Sequence, residues 1–152
     1  MKDLFGLYKD HIGRGPEDVV PLTGSGSNRK YVRMSGGGDS CIGVSGTDYL
    51  ENKAFLTIAD HFRGKGIPVP EVLGGSGDGM SYLHEDLGDC MLSDMVAKAQ
   101  KEGGIAEDGA LADLLCRTMA MLPKIQFEGA CGLDFSVCYP QSSFDRRMVM
   151  FD

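Results

Sequence analysis

The fold is decided by a glycine-rich stretch between two strand-like segments, Leu22-Thr-Gly-Ser-Gly-Ser-Asn-Arg-Lys-Tyr-Val-Arg33. Residues 18–23, before the glycines, predict a strand with a proline at its edge. Residues 30–34, after them, alternate between the two faces of a second strand. A strand therefore follows the glycines directly, whereas the Rossmann fingerprint and the P-loop both open a helix. The stretch accordingly disfavours both of those motifs.

The glycine loop itself has two interpretations. It consists of Gly24, Ser25, Gly26, Ser27 and Asn28. Glycine lets the main chain approach a ligand closely, so the amide N–H groups of such a loop can lie against phosphates. A plain hairpin turn explains the same glycines equally well.

Outward from this stretch, hydrophobic periodicity predicts an α+β protein. Its strand-rich first part ends in a short polar segment at 85–90, beyond which the pattern becomes helical. The clearest helix spans 49–63, because Asp48 and Glu51 have the layout of a capping box. The other predicted elements are a helix at 2–12, a strand at 41–44, an extended segment at 67–73, a strand at 80–84, and helices at 91–101, 108–122 and 142–152.

Glu51 lies near the middle of the apolar side of the helix predicted at 49–63. With about 100° per residue, it falls between Leu50, Phe55 and Ile58. A carboxylate in that position is costly to desolvate unless a cation or several donors meet it. Glu51 therefore either reaches back to cap the helix start or forms an ion pair with a cation that binds phosphate.

Composition and charge exclude several classes of partner and site. The 152 residues carry 15 Lys and Arg against 22 Asp and Glu, a net charge of −7. Nucleic acids and anionic membranes are polyanions, so we expect neither as a partner. The five cysteines lack C-x-x-C spacing, which argues against structural zinc and a disulfide framework. With a charged amino terminus and no stretch of membrane-spanning length, we expect a soluble cytoplasmic protein.

Four stretches carry a resemblance to a known superfamily. They are residues 22–33, Glu51-Asn-Lys-Ala-Phe55, Val69-Pro-Glu-Val72 and Tyr82-Leu-His-Glu-Asp-Leu-Gly-Asp89, with a weaker match through Phe144-Asp145 and Phe151-Asp152. Their order resembles the N-lobe of the protein-kinase-like fold. In detail the sequence is similar to the aminoglycoside phosphotransferase and choline kinase superfamily, especially its bacterial sugar-kinase-like branch.

The resemblance implies both an architecture and an activity. The N-lobe would cover 1–84, with about five antiparallel strands and one packed helix. A hinge would follow at 85–90, and the start of a helical C-lobe at 91–152. The implied activity is an ATP-dependent phosphotransferase acting on a small hydroxylated substrate, such as a sugar or an aminoglycoside-like molecule, with ATP and Mg²⁺ as cofactors.

The resemblance also implies roles for particular residues. The loop from Gly24 to Asn28 would cover the ATP phosphates, and Glu51 would orient a cation that contacts them. The segment from Glu85 through Asp86 to Leu87 would present backbone groups to the adenine. Tyr31 would help to cover the adenine, although simple packing on the strand accounts for it equally well.

One departure from the family pattern concerns the phosphate-binding cation. The family places a lysine on the third strand, yet no Lys or Arg occurs between Arg33 and Lys53. The candidates for a partner of Glu51 are then Arg29, Lys30 and Arg33. Strand alternation places Arg29 and Arg33 on one face and Lys30 on the other, and we favour Arg33. Basic residues on a solvated hairpin are the alternative.

A second departure concerns catalysis. Of the three histidines, only His84 begins an H-x-D triplet, His84-Glu85-Asp86, which lies on the predicted hinge and too early in the chain for a catalytic loop. We therefore assign no catalytic residue or metal ligand within the chain. The helix predicted at 142–152 meets Asp152 without a cap, so we expect a fragment, inactive alone, whose catalytic loop lies beyond Asp152. Its exposed C-lobe helices would favour self-association. The alternatives are a non-catalytic nucleotide-binding or regulatory module and a plain interaction domain.

Overall fold

The computed structural model describes residues 2–23, 28–105, 109–143, 145–146 and 150, and within them the chain forms an α+β fold. An open five-stranded antiparallel sheet has a helix packed on each face. The strands are β1 (Asp18–Leu22), β2 (Lys30–Gly36), β3 (Asp39–Ser45), β4 (Val72–Gly75) and β5 (Ser81–Glu85). The helices are α1 (Lys2–Ile12), α2 (Tyr49–Gly64), α3 (Leu92–Lys101) and α4 (Gly109–Pro123), followed by a π-helical turn at Lys124–Gly129 and a 3₁₀ turn at Phe135–Val137.

The strands lie in the order β1-β2-β3-β5-β4, each antiparallel to its neighbour. The register pairs Arg33 of β2 with Ile42 of β3, and Ile42 with His84 of β5. Residues that pair across antiparallel strands point to the same face, as do residues two positions apart. Tyr31 therefore shares this face with Arg33. The register gathers residues of distant sequence position into one surface.

One face of the sheet is covered by α1. Leu4 and Tyr8 are one helical turn apart and both are buried. They pack against Met34, Cys41 and Leu83, which alternate with the residues of the opposite face. This apolar layer lies on the side of the sheet away from the predicted ligand-binding residues.

The other face is covered by α2. Phe55 and Leu56 pack against Ile42, Val44 and Tyr82. The ring of Phe55 stacks on that of Tyr82 with 5.2 Å between centroids, within the range typical of offset aromatic pairs. Burial raises the pKa of the Tyr82 hydroxyl. The sheet face that carries Tyr31 and Arg33 is thus also the face that holds α2.

The start of α2 is capped as predicted. Asp48 has an extended backbone, and its Oδ1 accepts hydrogen bonds from the amides of Leu50 at 2.8 Å and Glu51 at 3.3 Å. Two of the amides that lack an intrahelical partner are thereby satisfied. The cap fixes where the helix begins and so which residue occupies its third position.

The buried side of α2 differs from the predicted one in its first turn. Leu50, predicted on the apolar side, is 58% exposed. The fully buried residue there is Asn52, whose Nδ2 donates to the carbonyl of Gly79 at 3.0 Å. This hydrogen bond offsets part of the cost of burying the amide, whose Oδ1 has no hydrogen-bond partner among the described residues. A polar side chain therefore occupies a position that hydrophobic periodicity does not identify.

Other predicted elements are shortened or fall partly outside the description. Only Val72 and the residues after it form a strand in the extended region predicted at 67–73, since Pro68 and Pro70 have no amide hydrogen for a ladder. The helix predicted at 142–152 lies largely outside the described residues, which exclude Phe144, Met148 and Phe151.

The helices predicted at 91–101 and 108–122 correspond to α3 and α4. Both are amphipathic, and they bury only a few residues: Ala99 in α3 and Leu111 in α4. Within the described part of the chain, no helix combines the length and the apolar character needed to cross a bilayer.

Replacing Leu83 by Ala tests the core beneath α1. Leu83 is fully buried, so Leu83→Ala should lower the free energy of unfolding by about 2–5 kcal/mol through lost burial and a residual cavity. The matched control is Leu87→Ala, at a leucine that is 68% exposed and should change stability by less than about 0.5 kcal/mol. Urea unfolding followed by circular dichroism measures both; equal losses would contradict this core.

Candidate functional site

A cavity of about 630 Å³ lies where the second, third and fifth strands meet the hinge segment, residues 85–90. Its volume is within the range of about 300–1,000 Å³ typical of small-molecule and cofactor sites. Apolar parts of its wall come from Leu22, Ile42 and Met91. Five of the predicted ligand-binding residues also line it: Tyr31, Arg33, Glu85, Asp86 and Leu87.

The guanidinium of Arg33 connects the sheet to the hinge segment. Its Nε and Nη2 donate to the two carboxylate oxygens of Asp86 at 2.7 and 3.0 Å. Its Nη1 and Nη2 donate to the two oxygens of Asp89 at 2.9 and 2.8 Å. Bidentate contacts of this kind fix geometry as well as adding energy. Arg33 thus holds the hinge segment against β2 and shapes the cavity between them.

Asp86 is the most fully hydrogen-bonded carboxylate of the site. Ser40 Oγ and the amide of Gly88, at 3.0 Å, donate to it in addition to Arg33. Burial alone would raise the pKa of Asp86, but the hydrogen bonds from Arg33, Ser40 and Gly88 outweigh burial and lower its pKa to about 2. Asp86 is therefore an anion at neutral pH, and its oxygens face protein donors.

Glu51 forms an ion pair with Arg29, which precedes β2. Arg29 Nη2 lies 3.3 Å from Glu51 Oε1 and also donates to the Glu51 carbonyl at 3.0 Å. The two side chains are 10% and 27% exposed, so the pair is largely shielded from water. Of the two alternatives for Glu51, the ion pair is the one observed. The expectation that Arg33 supplies the cation is wrong, because Asp86 and Asp89 engage Arg33 instead.

Aromatic side chains connect this ion pair to the cavity. The Arg29 guanidinium lies over the ring of Phe55, 5.3 Å from its centroid, in cation–π geometry. Phe55 stacks on Tyr82, whose centroid is 6.3 Å from that of His84. His84 lines the cavity. The ion pair and the cavity are therefore neighbouring parts of one sheet face, although Glu51 itself is not among the cavity residues.

The predicted glycine loop can be placed only at its end. Gly24, Ser25, Gly26 and Ser27 lie outside the described residues. Asn28, the last residue of the loop, is exposed and lies next to Arg29. The loop therefore leads directly into the ion-paired arginine.

Glu85, Asp86 and Leu87, the residues predicted to present main-chain groups to the adenine, line the cavity. The N–H of Glu85 donates a hydrogen bond to the carbonyl of Glu71 at 2.8 Å, and the carbonyl of Glu85 lies 2.8 Å from Nδ1 of His84. Among the described residues, none forms a hydrogen bond with the main-chain N–H or C=O of Leu87. The same holds for the main chain of Asp86, so both residues have a main-chain donor and acceptor with which a ligand can pair.

Sequence patterns do not identify several residues of the site. No role is predicted from the sequence for Ser40 or Asp89. The structure places Ser40 beside Asp86 and Asp89 beside Arg33. His84 belongs to a predicted strand, and its ring becomes a cavity wall. Alternation does identify Arg29 as sharing a face with Tyr31, but it does not decide which arginine meets Glu51.

No group of three or more His, Cys, Asp or Glu side chains among the described residues is arranged to hold a metal ion. Asp86 and Asp89 are close to one another, but both face the Arg33 guanidinium. A cation on these two carboxylates would have to displace that guanidinium. The described residues therefore do not fit a magnesium site.

Comparison of the chain with protein-family models and with curated protein sequences gives no match. Any functional proposal therefore rests on the contacts within the site and on the sequence motifs described above. The contacts and the motifs involve the same part of the sheet, where the hinge segment, β2 and the start of α2 lie close together.

Acidification tests the Asp86 contacts. The folded-state pKa of about 2 lies below the ordinary value of about 3.9, so the unfolded chain binds the proton more tightly. This stabilising contribution is complete above about pH 5 and is lost as the pH falls towards about 2. Asp86→Asn should cost roughly 1–3 kcal/mol at pH 7 and should unfold with a weaker pH dependence between these limits. Asp10→Asn, at an exposed carboxylate of α1, is the control; equal effects at both positions would contradict the assignment.

Proposed function

We propose that the chain is the nucleotide-binding part of an ATP-dependent phosphotransferase acting on a small hydroxylated substrate, such as a sugar or an aminoglycoside-like molecule. The observation that carries the proposal is the shielded ion pair of Glu51 and Arg29. It joins the first turn of α2 to the residue that follows the glycine loop. In kinases a helix glutamate orients the cation that contacts the ATP phosphates, and the ion pair of Glu51 with Arg29 supports such a role for these two residues.

The cavity is proposed to receive the adenine. Leu22, Ile42 and Met91 supply apolar walls for a flat ring, and Tyr31 adds an aromatic side chain. The main-chain N–H and C=O of Leu87 supply a donor and an acceptor for the polar edge of a base. A predominantly apolar cavity with a few placed polar groups is the usual form of a cofactor site.

Arg29 is proposed as the phosphate-contacting cation. β3 contains no lysine, so the usual third-strand cation is missing. Arg29 occupies the place next to Glu51 that such a cation would need, and the ion pair restricts where its guanidinium points. In a chain with a net charge of −7, a polyphosphate requires a local cation of this kind. Arg33 does not serve this role, because two carboxylates already neutralise it.

The overall architecture supports the same proposal. An open antiparallel sheet of five strands, with one helix between β3 and β4 packed on it, is compatible with the N-lobe of a protein-kinase-like fold. The hinge segment begins at Glu85, the last residue of β5, and lines the cavity, and helices follow it. In this proposal α3 and α4 begin the C-lobe.

The catalytic base and the Mg²⁺ ligands of such an activity are proposed to lie outside this chain. Among the described residues, no cluster is arranged to coordinate a metal ion. The proposed role of this chain is therefore to bind and orient the nucleotide, and the phosphoryl acceptor would bind elsewhere.

The absence of a β3 lysine also favours a second candidate, a non-catalytic nucleotide-binding module. Both candidates predict that ATP stabilises the protein, and they differ in phosphoryl transfer to an acceptor by the longer protein. A plain interaction domain predicts neither effect. Thermal unfolding with and without ATP therefore separates the two nucleotide-binding candidates from the third.

Arg29→Met tests the proposed phosphate contact. Loss of one charge-assisted contact should weaken ATP binding by roughly 10-fold, equivalent to about 1.4 kcal/mol, and should leave adenosine binding unchanged because adenosine has no phosphates. Lys30→Met is the matched control, since it removes the same charge from an exposed neighbour on the opposite face. Isothermal titration measures both ligands; an equal loss for adenosine, or an equal loss in Lys30→Met, would contradict the assignment.

Self-association is a further prediction of this proposal. Several apolar side chains along and after α4 are exposed, among them Met119 at 62%, Leu122 at 44% and Phe127 at 76%. Exposed apolar surface of this kind promotes association. We expect light scattering of the 152-residue chain to give a mass above that of a monomer, and Phe127→Ser to lower it; a monomer at all concentrations would contradict the expectation.

A further inference from the structure

The segment from Lys124 to Tyr139, which we call the strap, runs along α2 and contacts both of its ends. At the carboxyl end of the helix, Lys124 Nζ donates to the carbonyl of Gly66 at 3.0 Å. His61 Nε2 lies 2.8 Å from the carbonyl of Gly129 and forms a hydrogen bond with it. The strap is thereby attached to the last turns of α2 by two polar contacts.

Packing reinforces the attachment at the same end. Gly129 is buried, and a Cβ at that position would lie 2.9 Å from Ile67 Cδ1 and 3.2 Å from Phe62 Cε1. A larger residue at this position would require the side chains of Ile67 and Phe62 to shift. Ile67, three residues after the end of α2, is itself buried. The carboxyl end of α2 is therefore fixed by both packing and hydrogen bonds.

At the amino end the strap contacts the helix cap. The hydroxyl of Tyr139 donates to Asp48 Oδ2 at 3.0 Å, while Asp48 Oδ1 accepts from the amides of Leu50 and Glu51. The hydrogen bond from Tyr139 is the main cause of the lowered pKa of Asp48, and the same contact raises the pKa of Tyr139. One carboxylate thus joins the strap to the first turn of the helix.

This first turn carries the residue on which the proposed phosphate site depends. Glu51 is the third residue of α2, and its carboxylate meets Arg29 across the gap to the sheet. A rotation or translation of the turn would change the distance between these two charges. The contacts that hold the turn therefore bear on the orientation of Arg29.

We propose that Tyr139 is a positioning residue, which holds the first turn of α2 through Asp48 so that Glu51 orients Arg29 for the phosphates of a nucleotide. The inference rests on the proposed nucleotide-binding function. Tyr139 belongs to the helical part of the chain and Glu51 to the part built around the sheet. The strap would thereby couple the helical part to nucleotide affinity.

A merely structural role for Tyr139 makes different predictions. Its side chain is 44% exposed, and the hydrogen bond to Asp48 is solvent-accessible. Loss of such a bond should have a small effect on global unfolding, whereas it should increase local opening of the helix start. Nucleotide affinity and amide exchange at the first turn therefore report on positioning, and the melting temperature reports on stability.

The first experiment compares Tyr139→Phe with wild type, using ATP as the ligand. We expect ATP affinity to fall by about 3- to 10-fold and amide exchange at Leu50 and Glu51 to accelerate, with little change in melting temperature. Arg14→Met is the matched control, because it removes a tie between Arg14 and the turn at Gly36 and Asp39, remote from α2. Unchanged ATP affinity and unchanged exchange in Tyr139→Phe would overturn the proposal.

A double-mutant cycle then tests whether Tyr139 acts through Glu51. In a Glu51→Gln background, Tyr139→Phe should cause no further loss of ATP affinity; additive losses would overturn the proposed route. If wild type binds no ATP, the proposed function fails. Amide exchange alone then decides whether Tyr139 of the strap holds the first turn of α2. Faster exchange at Leu50 and Glu51 in Tyr139→Phe would still support positioning of the turn, and unchanged exchange would overturn it.

Discussion

The candidate site depends on the register of β2, β3 and β5. The pairing of Arg33 with Ile42, and of Ile42 with His84, aligns a charged, an apolar and an aromatic side chain across three strands. A slip of one residue in any strand would turn its side chain to the face covered by α1. The apolar residues of that face, such as Met34 and Leu83, make the slip costly because they would be moved towards the cavity. The same burial that stabilises the sheet therefore places the cavity.

Two arginines on this face, Arg29 and Arg33, have different partners. Arg33 meets two carboxylates of the hinge segment, and its charge is more than balanced there. Arg29 pairs with the carboxylate of Glu51 and lies over the ring of Phe55. Arg29 therefore adjoins α2 and the end of the glycine loop, whereas both carboxylates around Arg33 belong to the hinge segment. In the proposed function this difference separates the residue that shapes the cavity from the residue that contacts phosphate.

Helix α2 contacts the sheet, Arg29 and the strap. Its Phe55 packs on the sheet, its Glu51 pairs with Arg29, and its two ends are held by the strap. The buried amide of Asn52 ties it further to the turn before β5 through the carbonyl of Gly79. The contacts restrict the helix to one position, which a site built from a charged residue in its first turn requires.

Local sequence alone determined the kind and order of most elements. The alternation in β2, the Asp48 cap of α2 and the prolines before β4 act over a few residues, so periodicity and capping identify them. The same patterns placed Tyr31 and Arg33 on one face and Glu85 to Leu87 in a hinge segment. Tertiary structure decided which arginine meets Glu51, that Asn52 rather than Leu50 is buried, and that Tyr139 reaches Asp48, 91 positions away in sequence. These contacts follow from strand order, helix position and side-chain reach, which local periodicity does not encode.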